Sequence, residues 1–317
     1  MAPINPALLT LRQALRPFFK QTRGTVLLGV SGGADSMALA AAALLERDGL
    51  EVIPVVVDHG LQKNSDVIAQ MVKSRLEKLG FERVFLGRAN IQLIDGLEAS
   101  ARSARYKVFE QAIDTFGAEL FLLAHNKNDQ AEGVLLGLAR GSGTKSLSGM
   151  KERNGIYVRP FLNISREIIE QACKEAELEI WSDPHNENLE FTRVKVRREV
   201  LPKIEDDLGP GIIDALSRSA KILGEDAQAL DEWAEKALSE IGLNNLDVGE
   251  LENLPKAVRS RVLRSAIYAA GAPSGSLTAE HLEPVESLVT AWKGQGACSL
   301  PGGVKVSRIS GRITLSK

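Results

Sequence analysis

Residues 25–36 read Thr-Val-Leu-Leu-Gly-Val-Ser-Gly-Gly-Ala-Asp-Ser, and this stretch decides the fold. An apolar, strand-forming run (Val26, Leu27, Leu28, Val30) stops at Ser31-Gly32-Gly33, and an Ala/Leu-rich stretch from Met37 to Leu45 reads as a helix. Strand, glycine turn and helix start make a phosphate-binding geometry. Glycine has no side chain to block a close approach, so its N–H can point at an anion. The helix start adds unpaired N–H groups and the positive end of its dipole. Ser31 and Ser36 can donate hydroxyl hydrogen bonds. Asp35 stands where a carboxylate would repel phosphate unless a divalent cation, Mg²⁺, lay between them. The alternative is a plain strand-to-helix turn with a serine cap, which leaves this combination of donors, space and carboxylate without a purpose.

A lysine-containing phosphate loop of the G-x-x-x-x-G-K-[ST] type is absent. The nearest approach, Gly141-Ser142-Gly143-Thr144-Lys145-Ser146, places Thr144 between glycine and lysine. The segment Ser31-Gly32-Gly33-Ala34-Asp35-Ser36 instead resembles the pyrophosphate loop of enzymes that split ATP between its α and β phosphates.

Strand and helix signals alternate through the first half. Strands are predicted at Val26–Val30, Val52–Val57, Arg83–Leu86 and Leu120–Ala124, with helices at Ser36–Arg47, Ser65–Leu79, Glu98–Phe116 and Asp129–Ala139. The strands are short and apolar on both faces, as in a buried parallel sheet. The order predicts an α/β fold, a doubly wound, mostly parallel sheet with ligands at the carboxyl ends of its strands. Three polar loops fall there: Ser31-Gly32-Gly33, Asp58-His59-Gly60 and His125-Asn126-Lys127-Asn128-Asp129. Together they predict a pocket.

From about residue 210 the pattern changes. Ile212–Ile241 reads as one long or two shorter helices, Val258–Ala270 as another, and Ala297–Leu315 as short strands. A linker is expected at Asp206–Gly211, where Pro and Gly interrupt the pattern. This predicts a catalytic domain over 1–208 and a smaller, α-rich second domain over 209–317.

The chain has 317 residues, 44% of them hydrophobic, a formal net charge of −2 and two cysteines. That is ample material for a core and offers no global basic field, so any contact with nucleic acid must rest on local charge. Cys173 and Cys298 lie far apart and form no metal or redox motif. The first residues lack the features of a signal peptide, and no apolar run spans a membrane. A cytoplasmic protein is expected.

Two basic segments stand out. Arg102 and Arg105 are spaced to share a helix face. They form either a solvated face or a pair aimed at phosphates or a negative transition state. Arg193, Lys195, Arg197, Arg198 and Lys203 follow the turn Asp183-Pro184-His185-Asn186. They read either as a solvated helix or as an RNA phosphate contact. The basic loop Arg140-Gly141-Ser142-Gly143 reads either as a cover for the pocket or as a contact with a partner's backbone. Acids at 129 and 132 suit a helix dipole, a reading that covers Glu132 better than Asp129.

Taken in order, these motifs resemble the tRNA(Ile)-lysidine synthetase family. The matches are Ser31–Ser36, Val57-Asp58-His59-Gly60-Leu61, and Glu98-Ala99-x-Ala101-Arg102-x-Ala104-Arg105-Tyr106. They continue through Ala124-His125 with Asp129-Gln130-x-Glu132, Arg140-Gly141-Ser142-Gly143, Asp183-Pro184-x-Asn186, Arg193, Arg197 and Leu201-Pro202. The resemblance covers roughly residues 25–203. It implies an adenine nucleotide α-hydrolase-like fold in the family's short form. It also implies adenylation of the 2-carbonyl oxygen of the wobble cytidine in a CAU-anticodon tRNA(Ile), followed by displacement of AMP by the amine of free L-lysine. ATP and Mg²⁺ are the implied cofactors. Implied ATP contacts are Ser31 to Ser36 and His59, with Asp35 on the metal. Asp35, Arg105, His125 and Asp129 are the implied catalytic residues, and Arg140, Arg193 and Arg197 the implied RNA contacts. The oligomeric state is open, a homodimer included. The sequence departs from the family pattern at Asn126 (usually His), Asn128 (usually Asp), Gly133 (usually Thr), His185 (usually Ser) and Val194 (usually Asn). Asp129 retains one carboxylate, so the chemistry is expected to survive.

The rival readings are another pyrophosphate-loop enzyme, such as a tRNA thiolase or an amide-forming synthetase, and a non-catalytic ATP- or RNA-binding protein. A thiolase of this type needs paired cysteines or an iron–sulfur cluster. An amide-forming synthetase needs a source of ammonia.

Overall fold

The computed structural model describes residues 5–60, 64–91, 97–141, 143–243 and 246–317, without the side chains of 97–99. Leu61 and Ser142, and the side chains of Glu98 and Ala99, therefore lie outside the described residues. In chain order the first part comprises α1 (Pro6–Phe19), β1 (Val26–Gly29), α2 (Ala34–Glu46), β2 (Val52–Asp58), α3 (Ser65–Leu79), β3 (Phe85–Arg88), α4 (Leu97–Phe116), β4 (Leu120–Leu122) and α5 (Lys127–Ala139). It continues through α6 (Thr144–Leu147), β5 (Arg153–Asn154), β6 (Tyr157–Val158), α7 (Arg166–Glu175), α8 (Thr192–Lys195), α9 (Leu201–Leu208) and α10 (Ile212–Ile241).

The sheet runs β3-β2-β1-β4-β6-β5. Its strands are parallel except β5, which pairs antiparallel with β6. The chain leaves β1 toward β2 on one side and returns to β4 on the other, so the strand order reverses between β1 and β4. Such a switch point opens a crevice at the carboxyl ends of its two strands. Here those ends carry the glycine loop and the segment from His125 to Asp129.

The sheet's two faces bury different residues. Val26, Leu28, Val52, Val56, Leu120, Leu122 and Val158 pack with α2. Leu27, Ile53, Val55, Phe121 and Leu123 pack with Phe109 and Ala112 of α4. This is the period-two alternation of a pleated strand covered on both sides. Helix α2 is alanine-rich and buried from Ser36 to Ala43. A helix apolar all round needs cover on more than one side. Helices α1 and α7, which the sequence pattern did not assign, share its core cluster and supply that cover. The Glu175 carboxylate at the end of α7 accepts the N–H groups of Ala7 and Leu8 at 3.1 Å each, capping α1.

The chain divides into two compact units, Met1–Ile222 and Leu223–Lys317. The expected linker at 206–211 is the turn between α9 and α10, while the division falls inside α10. Helix α10 is continuous over 30 residues. The second unit contains β7 (Leu246–Asp247), α11 (Val248–Asn253), α12 (Lys256–Ala269), α13 (Ala279–Thr290), β8 (Cys298–Ser299), β9 (Lys305–Ile309) and β10 (Arg312–Ser316). Its sheet runs β7-β10-β9-β8, antiparallel throughout. A buried ion pair, Arg259 Nε to Glu286 at 2.8 Å, ties α12 to α13. Among the described residues no helix is long and apolar enough to cross a membrane.

Replacing Glu175 by Ala removes a carboxylate cap from two backbone donors. It should lower stability by about 1–2 kcal/mol, read as a shift in the denaturant midpoint at unchanged slope.

Candidate active site

The glycine loop is built by its own hydroxyls. Ser36 Oγ donates to Gly33 O at 3.0 Å and accepts the Ser31 N–H at 3.2 Å, and the two serine hydroxyls lie 3.2 Å apart. Gly32 has a φ of +88°, and a Cβ there would sit 2.5 Å from Val72 Cγ2. Its carbonyl accepts the N–H of Trp181 at 2.8 Å. Position 32 therefore needs glycine for both its backbone angle and its space. Gly33 caps α2 without a side-chain hydrogen bond, which leaves the first N–H groups of α2 aimed out of the loop.

Asp35, on the first turn of α2, meets the second polar segment. Asn126 Nδ2 donates to Asp35 Oδ1 at 2.8 Å. Asn126 Oδ1 accepts the Asp129 N–H at 3.0 Å, and Asp129 Oδ2 accepts the Asn126 N–H at 3.0 Å. This is a reciprocal capping box on α5. The residue that departs from the family pattern thus joins the loop carboxylate to the helix cap. Asn128 ties in a further helix, because its Oδ1 accepts the N–H of Arg166 at 3.0 Å, at the start of α7. Burial raises the pKa of Asp35, and the nearby Asp129 raises it further. Arg166, the Asn126 hydrogen bond and Arg197 offset part of this.

Glu132 is not an ordinary dipole residue. Its side chain is fully buried and receives Arg193 Nε at 2.9 Å and Arg197 Nε at 2.6 Å. Arg166 Nη2 lies 3.7 Å away. Arg197 also reaches Asp129 Oδ1 at 3.1 Å. Burial disfavours the charge on Arg197, but Glu132 and Asp129 outweigh that and raise its pKa. Arg193 and Arg197 are four residues apart, so they share one helix face. Arg193 lies on α8, and Arg197 lies within the π-helical turn Val196–Val200 that joins α8 to α9. The structure therefore directs both guanidiniums at carboxylates, whereas Arg140, Lys195 and Arg198 are exposed.

His125 and His59 lie among guanidiniums, one of which, Arg193, also belongs to this cluster. Burial lowers the pKa of His125 to about 3, aided by Arg159, Arg193, Arg102 and Arg105. Burial and Arg105 lower that of His59, while Asp58 and Asp183 oppose the shift. Arg105 is itself depressed by burial and by Arg102 and Arg193. A histidine held near 3 is uncharged at neutral pH. It can make hydrogen bonds but is a weak proton acceptor. Sequence reasoning missed Arg159 and Arg166, which belong to no local motif. Cys173 is buried, with its Sγ 3.4 Å from Ala34 O, and burial pushes its thiol up to about 11. It offers no thiolate at neutral pH.

A glycine loop at a sheet switch point, backed by a helix dipole, defines a PP-loop nucleotide-binding domain. The family model of the PP-loop domain matches residues 7–204, and that of the TilS substrate binding domain matches residues 246–314. The tRNA(Ile)-lysidine synthase of Streptomyces coelicolor is 46% identical over 301 residues, spanning 93% of this chain and 86% of its own. That of Thermobifida fusca is 44% identical over 318 residues, spanning 99% and 98%. The chain belongs to the tRNA(Ile)-lysidine synthase family. Among solved structures, the U34-tRNA thiolase NcsA from Methanococcus maripaludis superposes with a TM-score of 0.57 at 15% identity, over 69% of this chain and 80% of that one, a likeness of fold alone.

Two outcomes follow from this charge arrangement. Glu132→Gln strands three guanidiniums around a neutral amide and should destabilise the protein by roughly 3–5 kcal/mol, measured by denaturant unfolding. The folded pKa of His125 lies below the unfolded value. The unfolded state therefore binds the extra proton, and stability is lost as pH falls from about 6.5 toward 3. Between pH 7 and pH 5, His125→Gln should lose roughly 1–2 kcal/mol less stability than the parent protein.

Proposed function

We propose that this chain ligates free L-lysine to the 2-position of the wobble cytidine in CAU-anticodon tRNA(Ile), consuming ATP and releasing AMP and pyrophosphate, in the cytoplasm. The observation that carries this reading is the junction of the PP-loop with a carboxylate cluster through Asn126, in a chain that also has the family's substrate-binding domain.

A cytosine carbonyl is a poor electrophile until its oxygen becomes a leaving group. In the first step the 2-oxygen attacks the α-phosphorus of ATP and the bond to pyrophosphate breaks. Negative charge grows on the departing pyrophosphate. The N–H groups at the start of α2, the hydroxyls of Ser31 and Ser36, and guanidiniums would stabilise it. Mg²⁺ fits the donor chemistry of Asp35: a half-buried carboxylate, disfavoured by its neighbour Asp129, gains from a cation. Such an ion, when bound, would rest on Asp35 and the phosphates and would offset their charge. In the second step the ε-amine of lysine forms the C–N bond and AMP leaves. The amine must first lose a proton. Asp129 is our candidate for holding it and His125 for a neutral hydrogen bond to it. We assign Arg105 to phosphate charge in the crevice, and Arg140, with the exposed Lys195 and Arg198, to the RNA backbone.

Purified protein with ATP, Mg²⁺ and labelled lysine should release pyrophosphate and incorporate label only with unmodified CAU-anticodon tRNA(Ile). Asp35→Ala should abolish both, with a loss of at least 10²-fold. Pyrophosphate release without incorporation would move the assignment to another nucleophile, and no release with any tRNA would leave a binding protein.

A further inference from the structure

The strand ends sort their side chains onto two sides. Ile53, Val55 and Val57 of β2 face α4, so His59 continues their series two residues on. Phe121 and Leu123 face α4, and His125 follows them. Tyr157 of β6 packs on Phe121 at 5.4 Å and on Tyr106 of α4 at 5.2 Å, which puts Arg159 on the same side. Asn126, one residue beyond His125, reaches Asp35 on the α2 side. The PP-loop and its carboxylates thus lie on one side of the strand ends, and His59, His125 and Arg159 on the other, with Arg102 and Arg105 brought by α4.

The second side is unsatisfied. Arg159 is only 6% exposed. Its Nη1 donates to Lys151 O at 2.8 Å, but its Nε has no partner among the described residues. The Nδ1 atoms of His59 and His125 are buried and likewise unpartnered. A buried arginine normally has a carboxylate. Glu132 and Asp129 are engaged with the opposite cluster, and Asp58 accepts the Gly60 N–H at 2.9 Å on the α3 side. Only guanidiniums act on His125, whereas His59 also feels Asp58 and Asp183. Guanidiniums with open donors around such a histidine form a receptor for an anion.

We infer that the α4 side of the strand ends is a second phosphate pocket, in which Arg105 and Arg159 bind a phosphate oxyanion and His59 and His125 line it as hydrogen-bond partners. The oxyanion comes from one of two sources, the RNA phosphodiester beside the target nucleotide or a phosphate of ATP. The inference rests on the proposed function for the identity of the RNA. A neutral imidazole carries one N–H, and its tautomer decides which ring nitrogen offers that N–H to the phosphate. A lysine ammonium is disfavoured beside these arginines, so its charge is left to the carboxylates on the other side and only the deprotonated amine approaches His125.

The test needs neither lysine nor turnover. Binding of an unmodified CAU anticodon stem-loop RNA and of ATP is measured for the parent protein, Arg159→Gln and Arg105→Gln over a range of salt. If RNA supplies the phosphate, affinity for the stem-loop falls roughly tenfold or more and its log–log salt slope drops by about 0.7 per variant, with ATP affinity unchanged. If ATP supplies it, ATP affinity falls instead and the RNA slope holds. Unchanged affinities and slope in folded variants would overturn the pocket. Should Arg159→Gln fail to fold, Arg105→Gln is paired with the parent protein and stem-loops carrying single methylphosphonate linkages. A flat response at every linkage, with ATP affinity unmoved in Arg105→Gln, overturns it equally. A chain that binds RNA and ATP but makes no lysidine would fail the incorporation assay and still pass this one.

Discussion

The carboxylate of Glu132 is the constraint on which the catalytic unit turns. A fully buried carboxylate costs several kcal/mol unless cations and hydrogen bonds surround it. Glu132 obtains them from Arg193 and Arg197 on one helical run and approaches Arg166 at the start of α7. Satisfying this charge therefore docks residues 192–201 onto α5 and brings the α7 start against the same helix, which Asn128 secures by accepting the Arg166 N–H. Helix α5 is held in turn by its capping box, and the amide of that box grips Asp35. A single electrostatic chain runs from a basic helix to the phosphate loop, so the loop's carboxylate is positioned by residues more than 150 positions away in sequence.

The strand ends give the crevice two sides of different composition. On the α2 side the PP-loop donors stand with Asp35, Asp129 and Glu132, whose charge is balanced by Arg166, Arg193 and Arg197. On the α4 side stand His59, His125, Arg105 and Arg159. Phosphates need donors and positive charge, whereas an incoming amine needs acceptors and must shed a proton. The sheet presents both kinds of group without any special loop, because neighbouring residues on a strand point in opposite directions.

Much of the fold was legible because its signals are local. The β-branched run at 52–57, the alanine-rich helix after the glycine loop and the polar strand ends each carry their meaning within a few residues. The loop Ser31–Ser36 was legible for the same reason. Glu132 read as a helix-dipole residue because nothing near it in sequence reveals that Arg193 and Arg197 bury it. Those arginines read as an RNA-facing stripe because their carboxylates lie some 60 residues earlier. Arg159 and Arg166 had no motif at all, since their roles come from sheet register and from packing on α5. Helix α1 carries Leu8, Leu11, Leu15 and Phe19 at helical spacing, but its place as an outer layer follows only once α2 is seen to need cover on a second side.

The alternation at the end of β4 has a consequence for how this protein can change over evolutionary time. His125 and Asn126 are adjacent, yet they serve opposite halves of the crevice. Substitution at either position retunes one half and spares the other. A deletion or insertion of one residue between Leu122 and Lys127 would instead exchange them, pressing an imidazole on Asp35 and an amide on the arginines. The junction can therefore vary in identity but not in length.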